Sequence, residues 1–180
     1  MNNQNDKHVI LILEDDPEQM DLLANLALNE IQTLLDDENT DQAQKQALLE
    51  VNIIKVADLH SLKTAAKNYK NTILAILDCN IPDTKETPPH DQFVKNGYKI
   101  TGQHRSVDIV RKYLPDAQIT LISSMLRFQR IVIRHYQDQH DLNINFISKN
   151  EQDKINRNMA YYLRKYLTSI SGKSYRVLEA

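Results

Sequence analysis

The sequence contains few residues of the kinds that build disulfide frameworks, glycine-rich loops or membrane spans. Its one cysteine, Cys79, cannot form an internal disulfide, which indicates a reducing compartment. Three glycines among 180 residues argue against a glycine-rich phosphate-binding loop. The polar amino terminus lacks the apolar core of a signal peptide, and no later stretch is apolar enough to span a bilayer. We therefore expect a cytoplasmic protein without membrane insertion.

Positive and negative charges are also nearly balanced. The 22 Lys and Arg residues nearly balance 24 Asp and Glu residues, giving a formal net charge of -2, and no long basic run occurs. This balance argues against direct binding to nucleic acid or to an anionic membrane. A chain of 180 residues that is 41% hydrophobic can bury a substantial core. The composition therefore indicates an ordinary globular protein.

Five short apolar runs have the near-continuous pattern of strands that are covered on both faces. They are residues 9–13, 53–56, 73–77, 119–122 and 144–147. Helical patterns separate the runs, so strand and helix alternate five times along the chain. This alternation predicts an α/β fold with a five-stranded parallel sheet, because right-handed crossovers place helices on both of its faces.

Two segments depart from the repeating strand–helix unit. Residues 36–50 either lengthen the first helix or form a short second one. Residues 84–100 form a polar, proline-containing insertion between the third strand and its helix. Surface loops tolerate such insertions, whereas long loops in compact domains are often functional. Both interpretations of the insertion stay open: a neutral surface loop, or an element that selects partners or covers a site.

A single domain is expected over residues 7–171, between flexible termini at residues 1–6 and 172–180. Asp58 is placed to cap the helix that follows the second strand. A less regular helix is expected around residues 128–135. A strong apolar and aromatic stripe over residues 155–170 predicts a long last helix that packs against the core.

Polar residues follow the predicted strands at the edge where open parallel sheets bind ligands. They are Glu14, Asp15 and Asp16 after the first strand, Asp78 after the third, Ser123 and Ser124 after the fourth, and Ser148 and Lys149 after the fifth. If the strand order is 2-1-3-4-5, as in flavodoxin-like folds, the first and third strands are neighbours. Three or four carboxylates would then converge at one edge of the sheet.

Such a carboxylate cluster is unfavourable without a cation, since two charges ~4 Å apart repel by roughly 4 kcal/mol near a protein surface. Hard oxygen ligands suit Mg²⁺, and Lys149 can neutralise part of the charge. With a metal present, Asp78 becomes a candidate nucleophile toward phosphorus, and the Ser123 hydroxyl could donate to a phosphoryl oxygen. Each residue alone has an ordinary explanation: Asp16 before Pro17, for example, could equally be a helix cap.

Taken together, the residues at these strand ends resemble the motifs of the receiver domains of bacterial two-component response regulators. The stretch VILILEDDPEQMDLL is similar to the first strand and acidic pair of that family, which makes Glu14 and Asp15 metal ligands by resemblance. The stretch ILAILDCNIPD is similar to the phosphoacceptor strand. By this resemblance Asp78 is the phosphorylated aspartate, and Asn80 binds the metal through its backbone carbonyl.

The last two predicted strands carry the rest of the resemblance. The stretch ITLISSM puts Ser123 on the switch hydroxyl of the family, and NFISKN puts Phe146 on its aromatic switch position and Lys149 on its lysine. Asn150 departs from the family, because a proline usually follows that lysine. The resemblance covers nearly the whole chain, and Cys79 is interpreted as a buried spacer within it.

The resemblance implies a Mg²⁺-dependent receiver that takes a phosphoryl group onto Asp78 from a sensor histidine kinase or a phosphotransfer protein. It would catalyse only its own phosphorylation and dephosphorylation. Too few residues follow the last helix for an output module, so we expect a stand-alone receiver that switches contacts with a downstream protein or relays phosphate. Phosphorylation would draw in Ser123 and Lys149, and the Phe146 ring would follow.

Two other classes of protein share parts of this pattern. A receiver-fold interaction module that is never phosphorylated remains an alternative. A phosphatase of the haloacid dehalogenase type is disfavoured, because Asn80 stands where that family needs a second aspartate. A homodimer through Tyr161, Tyr162 and Tyr166 also stays open.

Overall fold

The computed structural model describes residues 7–79, 81, 93–95, 98–100, 102–124 and 144–171. The strands are β1 (Val9–Leu13), β2 (Asn52–Val56), β3 (Thr72–Asp78), β4 (Phe93–Lys95), β5 (Tyr98–Ile100), β6 (Gln118–Ser123) and β7 (Ile144–Ser148). The helices are α1 (Pro17–Asp36), α2 (Gln42–Leu49), α3 (Leu59–Asn68), α4 (Gly102–Tyr113) and α5 (Gln152–Ser171). Helices follow β1, β2 and β7, and α4 follows the β4–β5 pair that comes after β3. The helix predicted between β6 and β7 lies outside the described residues.

Five strands form one parallel sheet in the order β2-β1-β3-β6-β7. This is the predicted order 2-1-3-4-5 of a flavodoxin-like fold, which is confirmed. β3 lies at the centre, between β1 and β6, and every residue of β1 is buried. β2 lies on one side of β1, and β3 lies on its other side, so the order of the strands reverses at this point. The carboxyl ends of β1 and β3 therefore lie side by side at the switch point of the sheet.

The sheet has a hydrophobic core on each face, because successive side chains of a strand point to opposite sides. Val9, Leu11 and Leu13 pack with buried residues of α3 and α4. Ile10 and Ile12 pack on the other face with residues of α1, α2 and α5. Helices therefore cover both faces, which explains why the strands lack polar alternation. Within the described part of the chain, no helix is both long and apolar enough to cross a membrane.

Aspartate caps begin three of the helices, α1, α2 and α3. Asp16 Oδ1 accepts hydrogen bonds from the backbone N–H groups of Glu18 at 2.9 Å and Gln19 at 3.3 Å. Pro17 follows at the first helical position, where its missing N–H costs nothing. Asp58 caps α3 as predicted, accepting from the Ser61 N–H at 2.6 Å. The structure thus shows Asp16 as a helix cap, the ordinary one of its two explanations.

Residues 36–50 contain a separate second helix rather than an extension of the first. α2 begins with a capping box in which Asp41 and Gln44 each bind the backbone N–H of the other. Gln44 Nε2 also donates to the Leu167 carbonyl oxygen of α5 at 3.3 Å. The added helix is therefore tied to the core face formed by α1 and α5.

The insertion at residues 84–100 contains an antiparallel pairing of β4 with β5, in which Val94 pairs with Lys99. Sequence reasoning treated this segment as a loop, so the pairing is a finding of the structure. The rest of the insertion, the predicted helix around residues 128–135 and the predicted flexible termini lie outside the described residues.

The aromatic stripe of α5 belongs mainly to the core. Tyr162 and Tyr166 are buried among residues of the α1, α2 and α5 layer, whereas Tyr161 remains 42% exposed. Two of the three tyrosines considered for a homodimer contact are therefore covered by their own chain. Cys79 is buried as predicted.

Candidate functional site

Carboxylates converge at the carboxyl ends of β1 and β3. The parallel register pairs Leu13 with Leu77, which brings the next residues, Glu14 and Asp78, to the same edge of the sheet. Glu14, Asp15 and Asp78 each offer a carboxylate oxygen, and these three oxygens lie within 4.8 Å of one another. Glu14 and Asp78 are buried, and Asp15 is exposed. The cluster thus has two covered carboxylates and one that solvent or an ion can reach.

Lys149 supplies the positive charge of the cluster. Its Nζ lies 2.7 Å from Glu14 Oε2 and 3.0 Å from Asp78 Oδ2. The Lys149 backbone N–H donates to the Ser123 carbonyl oxygen at 3.0 Å, so the pairing of β6 with β7 continues one residue past the strand. This bond fixes the backbone from which the lysine reaches across β6 to the two carboxylates.

Asp78 is held through both of its carboxylate oxygens. Oδ1 accepts a hydrogen bond from the Cys79 N–H at 2.6 Å, and Oδ2 faces Lys149. The same Cys79 N–H also reaches the Ile122 carbonyl oxygen of β6 at 3.1 Å. The carboxylate is therefore oriented by the Cys79 backbone and by Lys149, and the bond to β6 fixes the position of the Cys79 N–H.

Burial makes the carboxylates of the cluster harder to ionise. It raises the pKa of Asp78 and the pKa of Glu14 above their ordinary values, while Lys149 opposes the rise in both cases. Burial lowers the pKa of Lys149, but Asp78 and Glu14 outweigh it and hold that pKa above its ordinary value. The ionised form of the cluster therefore depends on a nearby cation.

Ser123 ends β6, beside Asp78. It is buried, and the register that pairs Asp78 with Ile122 places it one residue farther along the neighbouring strand. A hydrogen bond links the Ser123 side chain to the Cys79 thiol, whose pKa burial raises well above its ordinary value. Sequence reasoning treated Cys79 as a spacer and missed these contacts. Its position directly after a strand-ending aspartate was the available signal.

The remaining predicted site residues lie at different distances from this cluster. Phe146 sits in β7, paired with Leu121, and packs half-buried against the core on the α3 and α4 face. Asn80, the predicted backbone ligand, lies outside the described residues. Asp16 turns away into its cap, although its N–H donates to Glu14 Oε1 at 3.3 Å. The structure thus brings Glu14, Asp15, Asp78 and Lys149 together.

No protein-family model matches this chain, and no curated protein matches its sequence. Solved structures do match it over most of its length. The signal receiver domain of a protein described as a Luxo repressor, from Vibrio parahaemolyticus, aligns with a TM-score of 0.55 and 13% identity, covering 93% of this chain and 98% of that one. A response regulator receiver domain protein from Clostridium thermocellum aligns at 0.50 and 10%, covering 89% and 98%.

The same fold also carries another description among the matches. A protein from Burkholderia thailandensis described as a pilus assembly protein aligns with a TM-score of 0.50 and 8% identity, covering 86% of this chain and 96% of that one. Identities this low establish the fold and not the activity, since one fold hosts many functions. The predicted likeness of fold is confirmed: this chain has the flavodoxin-like fold of response regulator receiver domains.

Proposed function

We propose that this chain is a response regulator receiver whose Asp78 accepts a phosphoryl group in a Mg²⁺-dependent reaction. The observation that carries the proposal is the convergence of Glu14, Asp15, Asp78 and Lys149 at the carboxyl end of the central strand. Acidic oxygen ligands beside an oriented carboxylate and a cation are the parts that phosphoryl transfer to aspartate needs.

The donor in this proposal is a phosphohistidine of a sensor histidine kinase or phosphotransfer protein, or a small acyl phosphate. One Asp78 carboxylate oxygen attacks phosphorus, and the new O–P bond forms as the P–N bond of a phosphohistidine or the acyl P–O bond of an acyl phosphate breaks. The bonding electron pair leaves with the imidazole nitrogen, which then takes a proton, or with the carboxylate of the acyl donor. Hydrolysis later returns Asp78 and inorganic phosphate when water attacks the phosphorus.

The donor set fits a hard divalent cation. The carboxylates of Glu14, Asp15 and Asp78 provide the oxygen ligands that Mg²⁺ prefers, and Asp15 leaves the cluster open to solvent. The backbone carbonyl of Asn80 remains the proposed additional ligand. When bound, the ion would neutralise charge on the transferring phosphoryl oxygens.

Residues of the chain would respond to the new charge on Asp78. Lys149 already lies within 3.0 Å of the Asp78 carboxylate and would shift its contact to a phosphoryl oxygen. Ser123 would exchange its contact with Cys79 for a hydrogen bond to another phosphoryl oxygen, and the Phe146 ring would follow as the switch. The β4–β5 segment of the insertion precedes α4 and is proposed to influence which partners reach this edge.

The domain, the partners and the cellular location belong to the same proposal. We assign residues 7–171 to one receiver domain in the cytoplasm that acts without nucleic acid contact. It would work as a stand-alone receiver, either switching a downstream protein or passing the phosphoryl group to a histidine. An effector should bind its target more tightly when phosphorylated, and a relay member should return the group to a histidine.

One observation favours the alternative of an interaction module that is never phosphorylated. Lys149 contacts both Glu14 and Asp78, so a single internal cation already compensates the two buried carboxylates. Such an ion-pair group could act purely as a structural element. The two proposals differ in whether Asp78 reacts.

Intact mass after incubation with acetyl phosphate and Mg²⁺ distinguishes them. Wild type should gain one phosphoryl group, Asp78→Asn should gain none, and omission of Mg²⁺ should suppress the gain. Asp16→Asn is the matched control, because asparagine also caps helices and that variant should still react. A folded wild type without any gain, from acetyl phosphate or from a phosphohistidine donor, would support the interaction module.

A further inference from the structure

Three lysines surround one tyrosine ring at the ends of α3 and α4. The Nζ atoms of Lys67, Lys70 and Lys112 lie 5.6, 5.3 and 5.5 Å from the centroid of the Tyr113 ring. Lys67 belongs to the last turn of α3, Lys70 follows that helix, and Lys112 and Tyr113 end α4. We call these four residues the lysine cluster.

The cluster concentrates positive charge without an acidic partner. All three lysines are exposed, and within the described part of the chain none lies in an ion pair with a carboxylate. No Asp or Glu occurs between Asp58 and Asp78 in the sequence. The acids close to the cluster in sequence are Asp108, four residues before Lys112 in α4, and Asp116 after that helix. The ring attracts each ammonium group, but the ammonium groups repel one another.

Part of this arrangement has a structural explanation. Lys70 Nζ donates to the carbonyl oxygens of Ala66 at 3.3 Å and Tyr113 at 3.2 Å, so it ties the carboxyl ends of α3 and α4 together. Positive charge at helix carboxyl ends is stabilising. One lysine would serve that purpose, whereas Lys67 and Lys112 add positive charge beyond it. The tie also holds the cluster in place before anything binds.

The cluster lies at the edge of the sheet opposite the carboxylates. β3 starts two residues after Lys70 and ends at Asp78, and β6 starts five residues after Tyr113 and ends at Ser123. A partner seated on the cluster would therefore leave the Asp78 edge uncovered. This surface is independent of the proposed phosphoryl transfer.

We propose that the lysine cluster is a docking surface for a short acidic segment, rich in Asp or Glu, of a partner protein. The three positive charges are grouped around one ring. They do not form an extended stripe of the kind that follows the phosphate backbone of a nucleic acid. Lysines are point charges that suit carboxylates in varied geometries, while the fork of arginine is favoured for phosphate.

Fluorescence anisotropy with a labelled hexaglutamate peptide tests the surface on the full chain at low salt. Combined Lys67→Glu and Lys112→Glu should weaken binding by roughly tenfold, since rim charges act mainly through charge complementarity. The matched control combines Lys45→Glu and Lys165→Glu, which makes the same change in net charge on α2 and α5. That control should leave the affinity within about twofold of wild type.

Amide shifts of wild type on peptide addition provide a second readout that needs no variant. They should be largest around Ala66 and Tyr113. Equal weakening in both double variants, no binding by wild type, or shifts centred elsewhere would overturn the proposal. So would tighter binding of a single-stranded DNA oligonucleotide that only the cluster variant loses, because the surface would then recognise phosphate.

Discussion

At the residue scale, the cost of burying charge determines how each buried acidic side chain affects the stability of the fold. Glu14 and Asp78 have Lys149 beside them, whereas Glu30 on α1 is only 7% exposed and is opposed by the charge of Arg164 without an ion pair among the described residues. Burial raises the pKa of Glu30 above its ordinary value, and Arg164 only partly offsets this. A charged Glu30 therefore lowers the stability of the fold at neutral pH.

The Glu30→Gln variant should be more stable than wild type at pH 7. The raised pKa of Glu30 in the folded state means that its protonated form stabilises the fold below the unfolded pKa, and that this contribution is lost as the pH rises through the folded pKa. Thermal unfolding should show a rise of roughly 2–4 °C, or about 1 kcal/mol, at pH 7. The rise should shrink in acid. An equal gain in the exposed control Glu38→Gln would contradict this account.

Removal of the Lys149 charge should be far more damaging than removal of an exposed lysine. Lys149 is 18% exposed and faces two buried carboxylates, so Lys149→Met should destabilise the fold by about 2–3 kcal/mol in urea unfolding without metal. Lys154 pairs with Glu151 on the surface, and Lys154→Met should cost less than about 1 kcal/mol. Similar losses in the two variants would show that the Lys149 network contributes little.

At the element scale, variants of Asp16 test whether this acid beside the site caps α1 or binds the metal. Asp16→Ala removes the acceptor for the first N–H groups of α1 and should cost about 1 kcal/mol in unfolding experiments. Asp16→Ser keeps a capping oxygen and should restore most of that loss. Phosphoryl uptake should persist in both variants. Loss of uptake with intact stability would instead make Asp16 a ligand.

The elements also differ in how well the sequence predicts them. β1 and residues 73–77 of β3 are unbroken apolar runs in a sheet covered on both faces, so their positions and parallel pairing follow from pattern alone. The pairing of β4 with β5 was missed because each strand has only three residues. The Asn-Gly dipeptide between them was an available hairpin signal, and the polar, proline-containing context of the insertion obscured it.

At the scale of the whole molecule, topology predicts which strand ends meet, but not how side chains share their contacts. The order of strands implies that Glu14 and Asp78 converge, whereas the reach of Lys149 to both depends on tertiary geometry. The helical stripe predicts that Tyr162 packs in the core, but it does not predict the partner of its hydroxyl. Its hydroxyl accepts a hydrogen bond from Asn145 Nδ2 at 2.6 Å, a partner in β7 that the helical stripe does not reveal.

Mg²⁺ should stabilise the whole fold if the three carboxylates bind it. Binding to the folded state alone adds about 1.4 kcal/mol at a tenfold excess over Kd, so the wild-type melting temperature should rise with Mg²⁺ and fall back with EDTA. Asp15→Asn should reduce this rise, because Asp15 is the exposed member of the cluster. Asp16→Asn should keep it. An unchanged melting temperature of wild type in millimolar Mg²⁺ would argue against the metal site.

The most direct test of the central claim is to find which residue carries the phosphoryl group. Borohydride reduces an aspartyl phosphate to homoserine, so reduction after reaction with acetyl phosphate and Mg²⁺, followed by peptide sequencing by mass spectrometry, marks the acceptor. The account predicts homoserine at position 78 in wild type, and at no position in Asp78→Asn. Homoserine at another position, or its absence from wild type after treatment with a phosphohistidine donor as well, would contradict the claim that Asp78 is the phosphoacceptor.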